Sequence, residues 1–508
     1  MRFKRMLFRK LPVVVLLLLF QFAAIGGAIL LLHEYYPLFR LANTLAAIAI
    51  FFYLINRKET PEFKLPWLFL LLAFPIFGTP MFLIFGIPRL PKKAAAKLKA
   101  AKITHRSMLA PTEEQKKLLE ALPSSLLFAE KYLQSACHTY GSTGNRVCYY
   151  PSGESFYEAL LVDLSAAERF IFLEFFIIGD GGMWNGIFRI LEKKAKQGVE
   201  VRVLYDDIGS AKVLPPNFRR RMQTAGIHAE AFNPFLPVLS VFQNNRDHRK
   251  IAVIDGKVGY TGGINIADEY INAITRFGHW KDTAVRIEGN GARQLTALFL
   301  QLFGAVTKSA SDYEKYLTAP LPEIKESCYA HVFADAPRPF DGELVAEETI
   351  LACIHGARHS ISVMTPYLIL NHRLSSALTA AAKRGACVRI FTPHIPDKPA
   401  VFAMTRANYR YLLDAGVQIY EYTPGFLHAK TMLFDEEIAL VGSVNLDYRS
   451  LVHHFECGAL LYGGDCIGEI VKDVEKTASR SEKIPQNFRQ SAGERFISTV
   501  LSLFAPLF

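Results

Sequence analysis

The chain has no CxxC spacing anywhere. Its seven cysteines (Cys137, Cys148, Cys328, Cys353, Cys387, Cys457 and Cys466) are scattered and odd in number, which excludes a disulfide framework and a cysteine zinc site. Cys387 in GACVRIF and Cys457 in FECGALL lie in apolar runs and read as buried, inert thiols. Acidic residues are scarce in the first 110 positions, where 16 Lys and Arg meet 3 Asp and Glu, and the rest of the chain holds 42 basic residues against 44 acidic ones. The formal charge of +11 therefore belongs to the N-terminal segment. An enzyme of nucleic acids needs its positive surface on the catalytic part, because phosphate neutralisation supplies most of the non-specific affinity. Its lack here argues against a nucleic-acid partner.

Charge is also missing from Leu11 to Leu32, LPVVVLLLLFQFAAIGGAILLL, which is long enough to cross a bilayer. A cleaved signal peptide has a shorter apolar core followed by polar sequence, whereas here more apolar sequence follows. Leu38 to Ile55 is a second candidate span, with Arg40 placed to snorkel, and Leu65 to Ile87 is a third, interrupted by Pro66, Pro75, Gly78 and Pro80. Three full crossings would put the basic runs before the first span and after the third on opposite sides, against the positive-inside rule. The expectation is a multi-pass cell-membrane anchor with two crossings and a broken or re-entrant third segment, leaving the catalytic part in the cytoplasm. The run KKAAAKLKAAK reads as a basic helix lying on anionic lipid head groups.

Beyond this anchor one pattern occurs twice, His-x-Lys-x4-Asp-x6-Gly-x2-Asn. The copies are His248, Lys250, Asp255, Gly262, Asn265 and His428, Lys430, Asp435, Gly442, Asn445. From average residue usage, five fixed positions recur by chance in on the order of one chain in ten thousand, and a second copy removes coincidence. Other strings match in the same order, KQGVEVRV with KRGACVRI and AGIHAEAF with AGVQIYEY. Each half reads as strand, helix, strand, helix, strand, signature, so the expectation is an α/β unit used twice, with largely parallel sheets side by side. The expected domains are an anchor over 1–110, a first lobe over 111–325 and a second over 326–508.

Alternate strand residues share a face, so His248 projects with Lys250 and His428 with Lys430. Two histidines divide a phosphoryl-transfer reaction: one attacks phosphorus and the other handles the proton. Lys250 and Lys430 would balance phosphate charge, and Asn265 and Asn445 would donate to its oxygens. No metal or cofactor is required. Asp255 and Asp435 stand at strand ends, where they serve the chemistry or organise the turn.

The paired signatures resemble those of the phospholipase D superfamily, and the whole chain resembles bacterial cardiolipin synthases through the hydrophobic N-terminus, NNRDHRK, YTGGIN and GSVNLDYRS. The resemblance implies two pseudo-symmetric α/β/α lobes behind a helical transmembrane region. It also implies a two-step phosphatidyl transfer from one phosphatidylglycerol to another, with His248 as nucleophile and His428 as acid and then base. Asp255 and Asp435 are counted with the catalytic residues of the two signatures. Asp282 and Glu456 resemble the family's acids that orient the histidines, with Gly262, Gly442 and Ser443 supporting them. The partners implied are phosphatidylglycerol, other anionic phospholipids and the membrane. Rival readings are a hydrolytic phospholipase D, a transferase with another alcohol acceptor, and a membrane-tethered nuclease. The apolar stretches Asn233 to Phe242 and Pro424 to His428 would admit acyl chains or pack in the core, and the C-terminal ERFISTVLSLFAPLF would dock on the membrane or on the domain.

Overall fold

The computed structural model describes residues 36–57, 61–87, 122–235, 244–307, 313–318, 320–321, 323–324, 328–337 and 343–505, with a few single positions ahead of 122. The expected span Leu11 to Leu32, the basic run 92–102 and most of the stretch Asn233 to Phe242 fall outside these residues. The described residues divide into two compact units.

In the first unit, α1 (Tyr36–Asn56) is the one described helix long and apolar enough to cross a bilayer, with a mean hydropathy of 1.9 over Pro37–Asn56. The third apolar stretch is broken. It forms α2 (Pro61–Ala73) and α3 (Pro75–Met81), the latter continued by a π turn over Phe82–Gly86. Pro75 lacks an amide hydrogen and cannot continue α2. The return is tight because Gly78 lies against α2, where a Cβ would stand 2.4 Å from the Leu70 carbonyl oxygen. Ile50, Leu54, Trp67, Leu71 and Phe82 form the small core of this unit.

The second unit is built on β1 (Ser142–Tyr150), β2 (Phe170–Phe175), β3 (Glu200–Asp206), β4 (His228–Phe232), β5 (Arg246–Asp247), β6 (Lys250–Ile254), β7 (Val258–Gly262), β8 (His279–Lys281) and β9 (Ala284–Gly289). The chain then runs through β10 (Cys328–Asp335), β11 (Ser360–Met364), β12 (Cys387–Pro393), β13 (Gln418–Tyr422), β14 (Gly425–Leu427), β15 (Thr431–Phe434), β16 (Ile438–Gly442), β17 (His454–Tyr462) and β18 (Ser481–Lys483). One continuous sheet has the order β18-β13-β12-β11-β15-β16-β17-β10-β1-β9-β7-β6-β2-β3-β4. Outward from the central antiparallel pair β1 and β10, the two halves run in matching order with matching senses. In the first half β2–β3 and β3–β4 are parallel, in the second β11–β12 and β12–β13, and the other pairings are antiparallel, including that of the additional edge strand β18 with β13.

The expectation of largely parallel, separate sheets is therefore corrected. β6, β7 and β9 return on one another, as do β15, β16 and β17, and antiparallel neighbours need no crossover helix. The parallel strands are crossed over by helices such as Gly182–Lys196 and His372–Lys383, each with apolar residues facing the sheet. β2 is buried along its whole length, as a strand covered on both faces must be. The C-terminal helix Ala492–Phe504 opens with a Ser491/Glu494 capping box and packs on the helix Pro399–Ala407, leaving Phe496, Ile497 and Val500 exposed.

Candidate active site

Each signature histidine is tied to the other half of the sheet. The segment leading to His248 forms β5, which pairs in parallel with the start of β17, and the His248 amide donates to the Phe455 carbonyl at 2.9 Å. Conversely, β14 pairs in parallel with β8, and the His428 amide donates to the Lys281 carbonyl at 2.6 Å. This exchange brings a carboxylate from each half onto the imidazole of the other. Glu456 of β17 accepts from His248 Nδ1 at 2.9 and 3.0 Å, and Asp282, just past β8, lies 2.6 Å from His428 Nδ1. With Nδ1 engaged, Nε2 of each ring is the atom left for chemistry.

Lys250 and Lys430 are buried, and each donates through Nζ to the carbonyl of its own histidine. Lys430 Nζ also stands 2.8 Å from His428 Nδ1. Burial lowers Lys250 to about 8 and Lys430 to about 7. Burial also pushes His248 down to about 4 against the pull of Glu456, and holds His428 well below its usual value, helped by the charges of Lys430, Lys250 and Lys398. Lys430 acts on His248 and Lys250 acts on His428, so the charges of both signatures meet in one site.

The two acids differ. Burial pushes both upward, but in Glu456 the His248 charge and hydrogen bond and then His454 outweigh it and hold the carboxyl below the ordinary range. Glu456 also accepts from the hydroxyls of Ser443 and Ser450, the latter at 2.6 Å. In Asp282 burial prevails, and despite Lys430 and the Thr283 amide the carboxyl sits at about 6. Aromatic rings wall the cleft, with Tyr270, Trp280 and Phe426 centred 5.4 to 5.7 Å from the His428 ring and Phe176 5.1 Å from that of His248. Phe426 is part of the core, so Pro424 to His428 is wall rather than opening.

Asn265 is engaged locally, accepting from the Ile177 amide at 3.0 Å and donating to the Tyr270 hydroxyl at 2.8 Å. The Asn445 amide donates to Ser450 Oγ at 2.9 Å, and its buried Oδ1 has no hydrogen-bond partner. The expected catalytic placing of Asp255 and Asp435 is corrected. A strand of ~3.3 Å per residue puts each roughly 20 Å from its histidine. Asp255 accepts from the amides of Glu168, Arg169 and Phe170, and Asp435 from those of Arg358, His359 and Ser360. Each thereby fixes the entry to β2 or β11, and each adopts a left-handed turn conformation, φ 56° and 52°. Gly262 and Gly442 are sites of close strand approach, where a Cβ would stand 2.4 Å from Thr283 O and 2.3 Å from Cys457 O.

Sequence reading missed three contributors. Ser450 reaches Glu456 from a π turn, and nothing in its spacing marks it. His454 stands two residues ahead of Glu456 on β17, a spacing that puts both on one face. The third is a buried brace under His248: Arg249 lies 2.6 Å from Glu174 and 3.3 Å from Asp247, while Arg246 lies 3.3 Å from Asp206.

The family described as "Cardiolipin synthase, PLD-like domain" matches residues 160–301 and 350–480, and a phospholipase D-nuclease N-terminal family matches 42–86. A cardiolipin synthase of Alkalihalophilus pseudofirmus is 34% identical over 91% of this chain and 92% of its own length. The chain belongs to the phospholipase D-like cardiolipin synthase family. Within that family a cardiolipin synthase of Geobacillus kaustophilus is 35% identical, over 91% of each chain. Among solved structures, a phosphatidylserine synthase of Haemophilus influenzae has the same mixed α/β fold, with a TM-score of 0.56, 13% identity, and coverage of 75% of this chain and 97% of that one. Both signatures fall inside the family match, so the residues that build the cleft are those of the family domain.

Proposed function

We propose that this chain is a cardiolipin synthase that moves a phosphatidyl group from one phosphatidylglycerol to another, giving cardiolipin and glycerol through a covalent phosphohistidine. The observation that carries the reading is the crossed pairing of His248 with Glu456 and His428 with Asp282. Glu456 keeps a proton on Nδ1 of His248 and so leaves the Nε2 lone pair free to attack phosphorus. The bond from phosphorus to the departing glycerol oxygen breaks, and His428 protonates that oxygen. His428 then takes the proton of the second phosphatidylglycerol's terminal hydroxyl, whose oxygen attacks phosphorus as the P–N bond breaks. A phosphodiester anion between Lys250 and Lys430 offsets two of the three lysine charges that add to burial in depressing His428, and so admits the proton it must carry. The inequality of the acids supports this assignment: Glu456 is a firm anion beside a neutral nucleophile, and Asp282 titrates at about 6 beside the proton carrier.

The same reading makes 111–325 and 326–508 the two lobes of a duplication and α1 one crossing of a multi-pass anchor, with the lobes in the cytoplasm. The test supplies purified protein with phosphatidylglycerol in detergent micelles. Cardiolipin and glycerol as products support the synthase, and phosphatidic acid as the main product replaces it with a hydrolase. His248→Ala and His428→Ala should each abolish turnover without affecting membrane insertion. Protease added to sealed spheroplasts should leave residues beyond 110 intact.

A further inference from the structure

Two histidine nitrogens converge on one carboxylate oxygen beside the cleft. Oε1 of Glu456 lies 2.9 Å from His248 Nδ1 and 3.7 Å from His454 Nδ1. The imidazole rings are 5.4 Å apart, and one ligand atom from each of the three residues falls within 4.8 Å of the others. His454 is 7% exposed, and neither of its ring nitrogens has a partner at hydrogen-bond distance. Its 3.7 Å approach to Glu456 is too long for a hydrogen bond, so the buried ring lacks the close partner that its burial calls for. We propose that His248, His454 and Glu456 form a binding site for a transition-metal dication such as Zn2+, whose occupancy silences the nucleophile.

The donor set fits that class of ion. Two imidazole nitrogens and one carboxylate oxygen suit Zn2+, Cu2+ or Ni2+, whereas Mg2+ and Ca2+ prefer shells of oxygen. Bonds of ~2.0 Å at a tetrahedral angle place ligand atoms ~3.3 Å apart, between the two separations seen here. The carboxylate is already oriented by the hydroxyls of Ser443 and Ser450, as ligating carboxylates are. The silencing follows from the tautomer. With a metal on Nδ1 of His248, the ring proton moves from Nδ1 to Nε2, and the atom that should attack phosphorus no longer has a free lone pair. The metal site stands on the geometry alone, while the silencing rests on the reading of His248 as nucleophile.

Zn2+ is the probe, added to the full-length protein in detergent after treatment with a chelator. One ion per chain should bind, as measured by competition with a chromophoric chelator, and Mg2+ and Ca2+ should not displace it. His454→Asn should lower the affinity for Zn2+ by about 10- to 100-fold, and whatever turnover it keeps should need correspondingly more Zn2+ for inhibition. Equal sensitivity of wild type and His454→Asn overturns the proposal, as does the lack of stoichiometric binding to the wild type. Co2+ bound to the wild type should give the strong visible absorption of a four-coordinate ion, and its lack also overturns the site, which keeps the test independent of whether the variant folds. Binding is read without lipid, so a protein that binds Zn2+ but makes no cardiolipin refutes the functional reading and not the site.

Discussion

Replacing Glu456 with Gln is the sharpest perturbation of the crossed pairs, because it changes one charge and almost no volume. The carboxylate is fully buried and meets His248 Nδ1 through both oxygens at 2.9 and 3.0 Å. Ser443 donates to Oε2 and Ser450 to Oε1, so a Gln carbonyl oxygen keeps one of these bonds while the other hydroxyl turns to accept from the new amide, and the residue stays in place. Its amide nitrogen then faces Nδ1 and donates to it, which drives the ring proton onto Nε2 and blocks the attacking atom. A wrong tautomer held in otherwise intact geometry lowers kcat by roughly 10^3- to 10^4-fold, equivalent to about 4–5.5 kcal/mol of lost transition-state stabilisation. KM should hardly move, since Glu456 lies behind the histidine. The assay follows labelled phosphatidylglycerol into cardiolipin in mixed micelles, with acid-labile phosphoenzyme trapped in a single turnover. Phosphoenzyme should be missing from Glu456→Gln. A variant that folds, with kcat within about tenfold of the wild type, would refute the orienting role and the assignment of His248 with it.

Asp255→Asn and Asp435→Asn should each cost about 1–3 kcal/mol of stability by leaving backbone amides of the β2 or β11 entry poorly matched, and activity per folded molecule, measured after correcting for the unfolded fraction, should be retained. Gly262→Ala and Gly442→Ala each drive a Cβ into a neighbouring carbonyl oxygen; the expected loss is about 1–3 kcal/mol or more, read as a fall in Tm. Glu130 is fully buried, 2.7 Å from His331, and although burial pushes it up, His331, Gln134 and the Gly141 amide bring its carboxyl from an ordinary 4.5 down to about 2. A depressed carboxyl stabilises the fold above its unfolded value and loses that contribution as pH falls, so about 3 kcal/mol should disappear between pH 4.5 and 2. Denaturant titrations of wild type and Glu130→Gln should converge across that window, and parallel curves would contradict the assignment.

The histidines, lysines and the duplication were legible because they recur at fixed spacing, and spacing along a strand translates directly into position. Glu456 and Asp282 carried no such mark, since one lies 14 residues past Gly442 and the other 20 past Gly262. Only the resemblance pointed to them, and only the sheet explains why they belong. β9 and β17 are central strands whose starts sit beside the opposite half. The mixed sheet escaped a reading by apolar runs because a strand buried on both faces is the same string of apolar residues in either sense. Asp255 and Asp435 misled for the opposite reason. They recur as faithfully as the histidines, but the function they repeat is the closure of a turn.

The duplication also explains how two copies of one motif come to do different work. At the position after the signature glycine the halves diverge, Gly263 in one and Ser443 in the other. A side chain at 263 would fall 2.1 Å from Asp282 Oδ1, so glycine there lets the acid pack against bare backbone, with the Thr283 amide and His428 as its hydrogen-bond partners. Ser443 instead donates its hydroxyl to Glu456. Charge and hydrogen bonds from His248 and His454 hold Glu456 in its charged form, whereas burial prevails at Asp282. One acid thus remains an anion that fixes a tautomer, and the other rises toward neutrality, where it can share a proton with its histidine. A symmetric pair of lobes would offer two equal nucleophiles or two equal acids. A two-step transfer needs one of each, and the two histidines around Glu456, with the Ser443 hydroxyl beside them, set it apart from Asp282, where burial prevails.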